Sequence, residues 1–209
     1  MSIDSPQPAP ALAAPAALRG ALVLRALPLI VVGLVITFTA DHSTTFGFVM
    51  LGVLGLSSAA VLVLGGLRLP ARDALRGLHL GLGALAAVVG ALSLALSSFG
   101  LGFLLLLVGA YAAFGGIGEL VWGIRRRAAH PIARDAIVVG GATALLAVVT
   151  ALIGDPVSAV GFLGAYAIIA GVFLVIAGLS AGGAAADTAV GTDPARTHGT
   201  SDEKEHSPS

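Results

Sequence analysis

Apolar positions along this chain show neither the one-in-two alternation of a strand nor the polar face of a soluble amphipathic helix. They form six long stretches: Ala21–Ala40, Phe46–Leu67, Gly77–Leu96, Leu101–Ile124, Ala136–Ile153 and Val157–Leu179. A bilayer core about 30 Å thick needs about 20 apolar helical residues to cross it. The expected fold is therefore an all-α membrane protein, a bundle of six transmembrane helices. Only Arg25, Glu119 and the histidine His79 interrupt the spans with ionisable groups. Arg25 lies near the start of span one, where a long side chain is expected to snorkel to the interface. Pro28, read as sitting in an early turn, should at most kink that helix.

Residues 1–20 are rich in alanine and proline, and residues 181–209 are small and polar. Both read as disordered tails, because neither buries enough apolar surface to offset its chain entropy. A signal peptide is not expected, since the first apolar stretch is long and no basic segment opens the chain. The membrane domain is residues 21–180.

Composition sharpens this picture. The 209 residues are 57% hydrophobic and 11% charged, against about 25% charged in a soluble domain. Eleven basic residues balance eleven acidic ones, which argues against a nucleic-acid partner. The chain has no cysteine, so it has no disulfide, thiolate nucleophile or zinc–sulfur site.

The balance of charge conceals an asymmetry. Arg19 and Arg25 precede or open span one, Arg68, Arg72 and Arg76 follow span two, and Arg125, Arg126, Arg127 and Arg134 follow span four. Arg196 and Lys204 are in the tail, so every basic residue falls on one side. The opposite loops, 41–45, 97–100 and 154–156, carry none. The positive-inside rule places both termini in the cytoplasm.

The chain also repeats itself. Ala71-Arg72-Asp73-Ala74 opens span three and Ala133-Arg134-Asp135-Ala136 opens span five. Gly109-Ala110-Tyr111-Ala112 recurs as Gly164-Ala165-Tyr166-Ala167, with Gly52 marking a fainter copy. The unit is a helical hairpin of roughly 55–62 residues, used three times. Because two spans return the chain to its starting side, the copies run parallel rather than inverted. Gly102, Gly109, Gly116 and Gly123 in span four, and Gly164, Gly171 and Gly178 in span six, form packing seams with a seven-residue period. Such seams favour close, left-handed helix crossings. Weaker seams, such as Gly83/Gly90 and Gly140/Ala147, lie within what composition supplies by chance.

Glu119 is the sole carboxylate inside a span, and such residues are functional candidates by default. His79 and Glu119 lie at similar distances from the turn at Ser97–Gly100, so an antiparallel hairpin brings them to one level. Their pairing suggests either a proton-carrying couple, since histidine titrates near neutral pH, or a lock for the hairpin. Glu119 bonded to Arg76 or Arg125 is the other structural option. Asp73 and Asp135 are expected to cap helices three and five. Tyr111 and Tyr166, near mid-membrane, need interhelical hydrogen-bond partners. Trp122 belongs to the aromatic belt beside Arg125, and Asp41-His42 is an outer-loop pair suited chiefly to solvation.

Catalytic signals are thin. The five histidines are scattered, so no metal-ligand cluster forms, and no serine–histidine or paired-carboxylate arrangement marks a protease. No catalytic residue and no cofactor is expected.

The repeated hairpins, the motif Gly-x-Tyr-x-x-x-x-Gly at 109–116 and 164–171, and the short arginine-rich turns opening with Arg-Asp resemble the HdeD family over about residues 20–180. Members are six-span bacterial inner-membrane proteins associated with acid resistance. The resemblance implies a bacterial plasma membrane and a non-enzymatic role in acid or envelope stress tolerance. It implies no site residues. Ten arginines against one lysine also suit a high-GC bacterial genome. The second function expected from the residues themselves is a small transporter or channel using Glu119 and His79. The lipid bilayer is the expected partner, with a second copy or another membrane protein as further candidates.

Overall fold

A computed structural model describes residues 15–130 and 132–191. It contains six helices: α1 (Pro15–Phe38), α2 (Thr44–Leu67), α3 (Ala74–Ala95), α4 (Leu101–Arg126), α5 (Ala133–Ala151) and α6 (Pro156–Gly191). Each is long and apolar enough to cross a membrane, as the six apolar stretches predict. Helix enters both segments expected to be tails, because α1 begins at Pro15 and α6 runs on to Gly191. Alanine, abundant in both segments, is the strongest helix former. The remainder of those expected tails, 1–14 and 192–209, lies outside the described residues.

Local chemistry sets the helix starts. Ser43 caps α2, its hydroxyl accepting from Phe46 N at 3.2 Å. Asp73 caps α3, accepting from Leu75 N at 2.8 Å. Asp155, just before Pro156, accepts from Ser158 N at 2.8 Å, which holds its carboxyl below the usual range. Asp41 accepts from Ser43 N at 2.8 Å, so its role is to shape the turn before α2. Asp135 departs from expectation. The residue at the N-cap of α5 is Ile132, with no side-chain cap, and Asp135 lies inside the first turn. The two Ala-Arg-Asp-Ala tetrapeptides thus enter their helices in different registers; at its depth Asp135 complements the helix dipole rather than capping it. Pro28 is also deeper than an early turn, because α1 starts at Pro15, and the helix continues through it.

The unit of sequence repetition is not the unit of closest packing. The most intimate antiparallel pairs are α2 with α3, α4 with α5, and α1 with α6. Two of these pairs turn back at the arginine-rich end, and the third joins the first helix to the last. The result is a closed ring. The even-numbered helices α2, α4 and α6 also touch one another, whereas among the described residues the odd-numbered helices do not. The even helices are thus an inner triangle and the odd ones an outer set.

Glycine makes the intimate pairs. A Cβ on Gly55 of α2 would lie 2.8 Å from Ala86 O of α3, and one on Gly33 of α1 would lie 2.6 Å from Ile168 of α6. On α4 a Cβ at Gly116 would collide with the backbone of Ala144, and one at Gly123 would meet Ala133 O at 2.8 Å. Gly164 and Gly171 pack against Ile36 and Ile30 of α1, and Gly178 is buried. The span-four seam is half of what the spacing predicts. Gly102 faces open space and Gly109 meets only Thr150 Cγ2, at 3.9 Å. Antiparallel neighbours α4 and α5 approach closely only toward the arginine end. Conversely, Gly83, Gly90 and Gly140, in the weaker seams, all face close contacts. Outward residues such as Phe114, Leu106, Leu145 and Ile169 are more than 60% exposed on the isolated chain, an apolar exterior suited to lipid.

Candidate functional site

The ring gives its three repeats comparable interiors. Leu51, Val108 and Leu163 are buried at one level, and Gly55, Ala112 and Ala167 at the next. Ten residues after Gly52, Gly109 and Gly164 come Leu62, Glu119 and Leu174, with exposures of 3%, 3% and 1%. Two repeats place a buried leucine where the third places a buried carboxylate.

That carboxylate is answered by Arg25. Its Nη1 donates to Glu119 Oε1 at 2.6 Å and its Nη2 to Oε2 at 2.8 Å, a bidentate ion pair. The side chains are 20% and 4% exposed. Helices α1 and α4 are not neighbours in the ring, so the arginine spans the interior to reach its partner. Its direction follows from the register of α1. Leu22, Ala26 and Leu29 are buried, and Arg25 lies three residues after the first and four before the last, beside the inward face. Arg25 therefore does not snorkel outward. Forked geometry and delocalised charge make arginine the cation best suited to a carboxylate in a dry interior.

The structure does not join His79 to Glu119. Both carboxylate oxygens are engaged by Arg25, and His79 Nδ1 is buried with no hydrogen-bond partner. Equal depth across a hairpin does not make two residues face each other. Neither Arg76, which donates to Leu69 O at 3.2 Å, nor Arg125 pairs with Glu119. Arg25–Glu119 is the one salt bridge among the described residues.

Above the pair lies a small polar set. Tyr166 and Thr143 share a hydroxyl–hydroxyl hydrogen bond of 2.7 Å between α6 and α5, and Thr143 also donates to Val139 O. Tyr166 thereby finds an interhelical partner. The Tyr111 hydroxyl makes no hydrogen bond among the described residues. Ser93 donates to Phe48 O at 2.7 Å, tying α3 to α2. Tyr166→Phe is expected to cost about 0.6 kcal/mol, the mean for hydrogen bonds between membrane helices. Unfolding in mixed micelles measures it, and Tyr111→Phe should cost less.

At the arginine-rich end the chain's one tryptophan, Trp122, packs edge-on against His130, with ring centroids 5.3 Å apart. Burial holds the His130 pKa below its usual value, with Asp73 opposing the shift and Arg126 reinforcing it. With the folded value below the unfolded one, the neutral ring's contribution is fully present above about pH 6.5 and declines as pH falls. Trp122 emission is therefore expected to titrate with a midpoint below 6.5 and to lose that transition in His130→Gln. A midpoint at or above 6.5 contradicts the packing.

No group of three or more potential metal ligands occurs among the described residues. No protein-family model matches the chain, and comparison with curated proteins and with solved structures finds no significant match.

Proposed function

We propose that this is a multi-pass protein of a bacterial inner membrane that acts without catalysis and contributes to acid or envelope stress tolerance, with Arg25–Glu119 as a structural lock. The observation that favours a lock is the bidentate pairing, which engages both oxygens of the one buried carboxylate among the described residues. Proton carriage needs a carboxylate free to pass hydrogen bonds from one partner to the next, and here a single guanidinium is forked across both oxygens. The stress context rests on the family resemblance. Its test is acid challenge of a strain lacking the gene, with and without the gene restored. Reduced survival that the restored gene corrects is expected, and equal survival overturns the stress role.

The second reading, a small transporter, is favoured by the polar set of Tyr111, Tyr166 and Thr143 above the pair. Transport paths are commonly lined by several polar groups or broken helices, and here Thr143 and Tyr166 satisfy each other.

Orientation belongs to the same proposal. Arginines flank the turns α2–α3 and α4–α5 at one end of the bundle, and by the positive-inside rule that end is cytoplasmic. A reporter inserted at Ser43 should respond as an external one. A cytoplasmic response contradicts the orientation.

A further inference from the structure

The arginines at the α4–α5 turn do more than count toward topology. Arg125 and Arg126 end α4, Arg127 stands at its C-cap, and all three are exposed. Among the described residues none of them makes a salt bridge. Successive helical residues are about 100° apart, so the three guanidiniums sweep a broad sector around this corner. Arg134, in the first turn of α5 and also exposed, extends the sector to the neighbouring helix.

What lies below them selects the ligand. Ile117, Val121 and Ile124 are 54%, 38% and 52% exposed and follow one another at three- and four-residue spacing. They form an outward apolar stripe that leads directly to the arginines. Val138 and Leu145 continue α5 similarly below Arg134, at 49% and 61% exposure. A free phosphate would use only the charged end. A phospholipid uses both, with its acyl chain along the stripe and its phosphate among the guanidiniums, which chelate phosphate oxygens well. Basic clusters at the ends of membrane helices attract anionic headgroups by the same electrostatics.

We propose that the α4–α5 corner is a binding site for an anionic phospholipid, its phosphate held by Arg125 and Arg127, which flank the stripe on either side at about 100° per residue, and its acyl chain laid along Ile117, Val121 and Ile124. The site is peripheral to the Arg25–Glu119 pair and independent of it.

Native mass spectrometry of the full-length protein in detergent, with equal phosphatidylglycerol and phosphatidylcholine added, tests this. The wild type should retain phosphatidylglycerol preferentially. The triple variant Arg125→Gln/Arg126→Gln/Arg127→Gln should lose that preference by about tenfold or more, while Arg68→Gln/Arg72→Gln at the other turn keeps most of it. The lysine triple variant, which preserves charge, should keep a measurable preference and guards against a folding defect. Equal retention by wild type and the glutamine triple variant overturns the proposal. Displacement of the lipid by inorganic phosphate at the same concentration also overturns it, since the site would then recognise a free anion.

Discussion

Glu119→Leu is expected to destabilise the protein by about 3–5 kcal/mol, because it strands the Arg25 charge in a buried setting. Arg25→Leu should be comparably harmful, leaving the carboxylate alone at 3% exposure. The double variant Arg25→Leu/Glu119→Leu is expected to recover most of the loss. Buried ion pairs are often replaceable by well-packed apolar residues at little cost, and this fold already accepts leucine there. Leu62 and Leu174 fill the corresponding positions of α2 and α6. Thermal unfolding in detergent of the four members of the cycle measures the coupling. Additive losses would mean the two side chains do not act as a pair. Charge reversal, Arg25→Glu/Glu119→Arg, offers a second check, with partial recovery expected relative to either single change.

The second large effect concerns backbone contact. Gly116→Val on α4 should cost about 3 kcal/mol or more, since even a Cβ there collides with Ala144 and approaches Gly140 O at 2.9 Å. Overpacked cores typically lose about 1–3 kcal/mol where flexible side chains can yield, and here the obstacle is backbone. Gly102→Ala, in the same seven-residue series, should be neutral or slightly stabilising because nothing lies within 4 Å and alanine is the better helix former. Unfolding midpoints of both variants provide the measurement. Similar losses at the two positions would contradict the one-sided approach of α4 and α5.

The spans were legible because a bilayer demands an unbroken apolar run, and in every span that requirement overrides finer patterning. The seams at Gly164 and Gly171 were legible too, since the period of seven keeps one face in contact with a neighbour. Which neighbour was not. The repeats place hairpin boundaries at the openings of spans three and five, yet α1 packs most closely on α6 and α2 on α3. Such pairing depends on how the whole chain closes, a property no local motif carries. The Arg25–Glu119 pair was hidden for the same reason. Its members are on non-adjacent helices, so depth matched Glu119 to His79 across a turn while the ring matched it to Arg25. Two signals were present nonetheless. Arg25 lies beside the face formed by Leu22, Ala26 and Leu29, and Glu119 stands where the other repeats carry leucine. Asp135 shares its tetrapeptide with Asp73, but α5 starts before its aspartate whereas α3 starts after its own.

As a lock, Arg25–Glu119 fastens the closed ring and carries no protons. Proton flux into liposomes containing purified protein, driven by an imposed pH difference, tests it most directly when wild type is compared with Glu119→Gln and the double leucine variant. No flux above protein-free liposomes that depends on the pair is expected. A wild-type flux abolished in both variants, with each still folded, would contradict it.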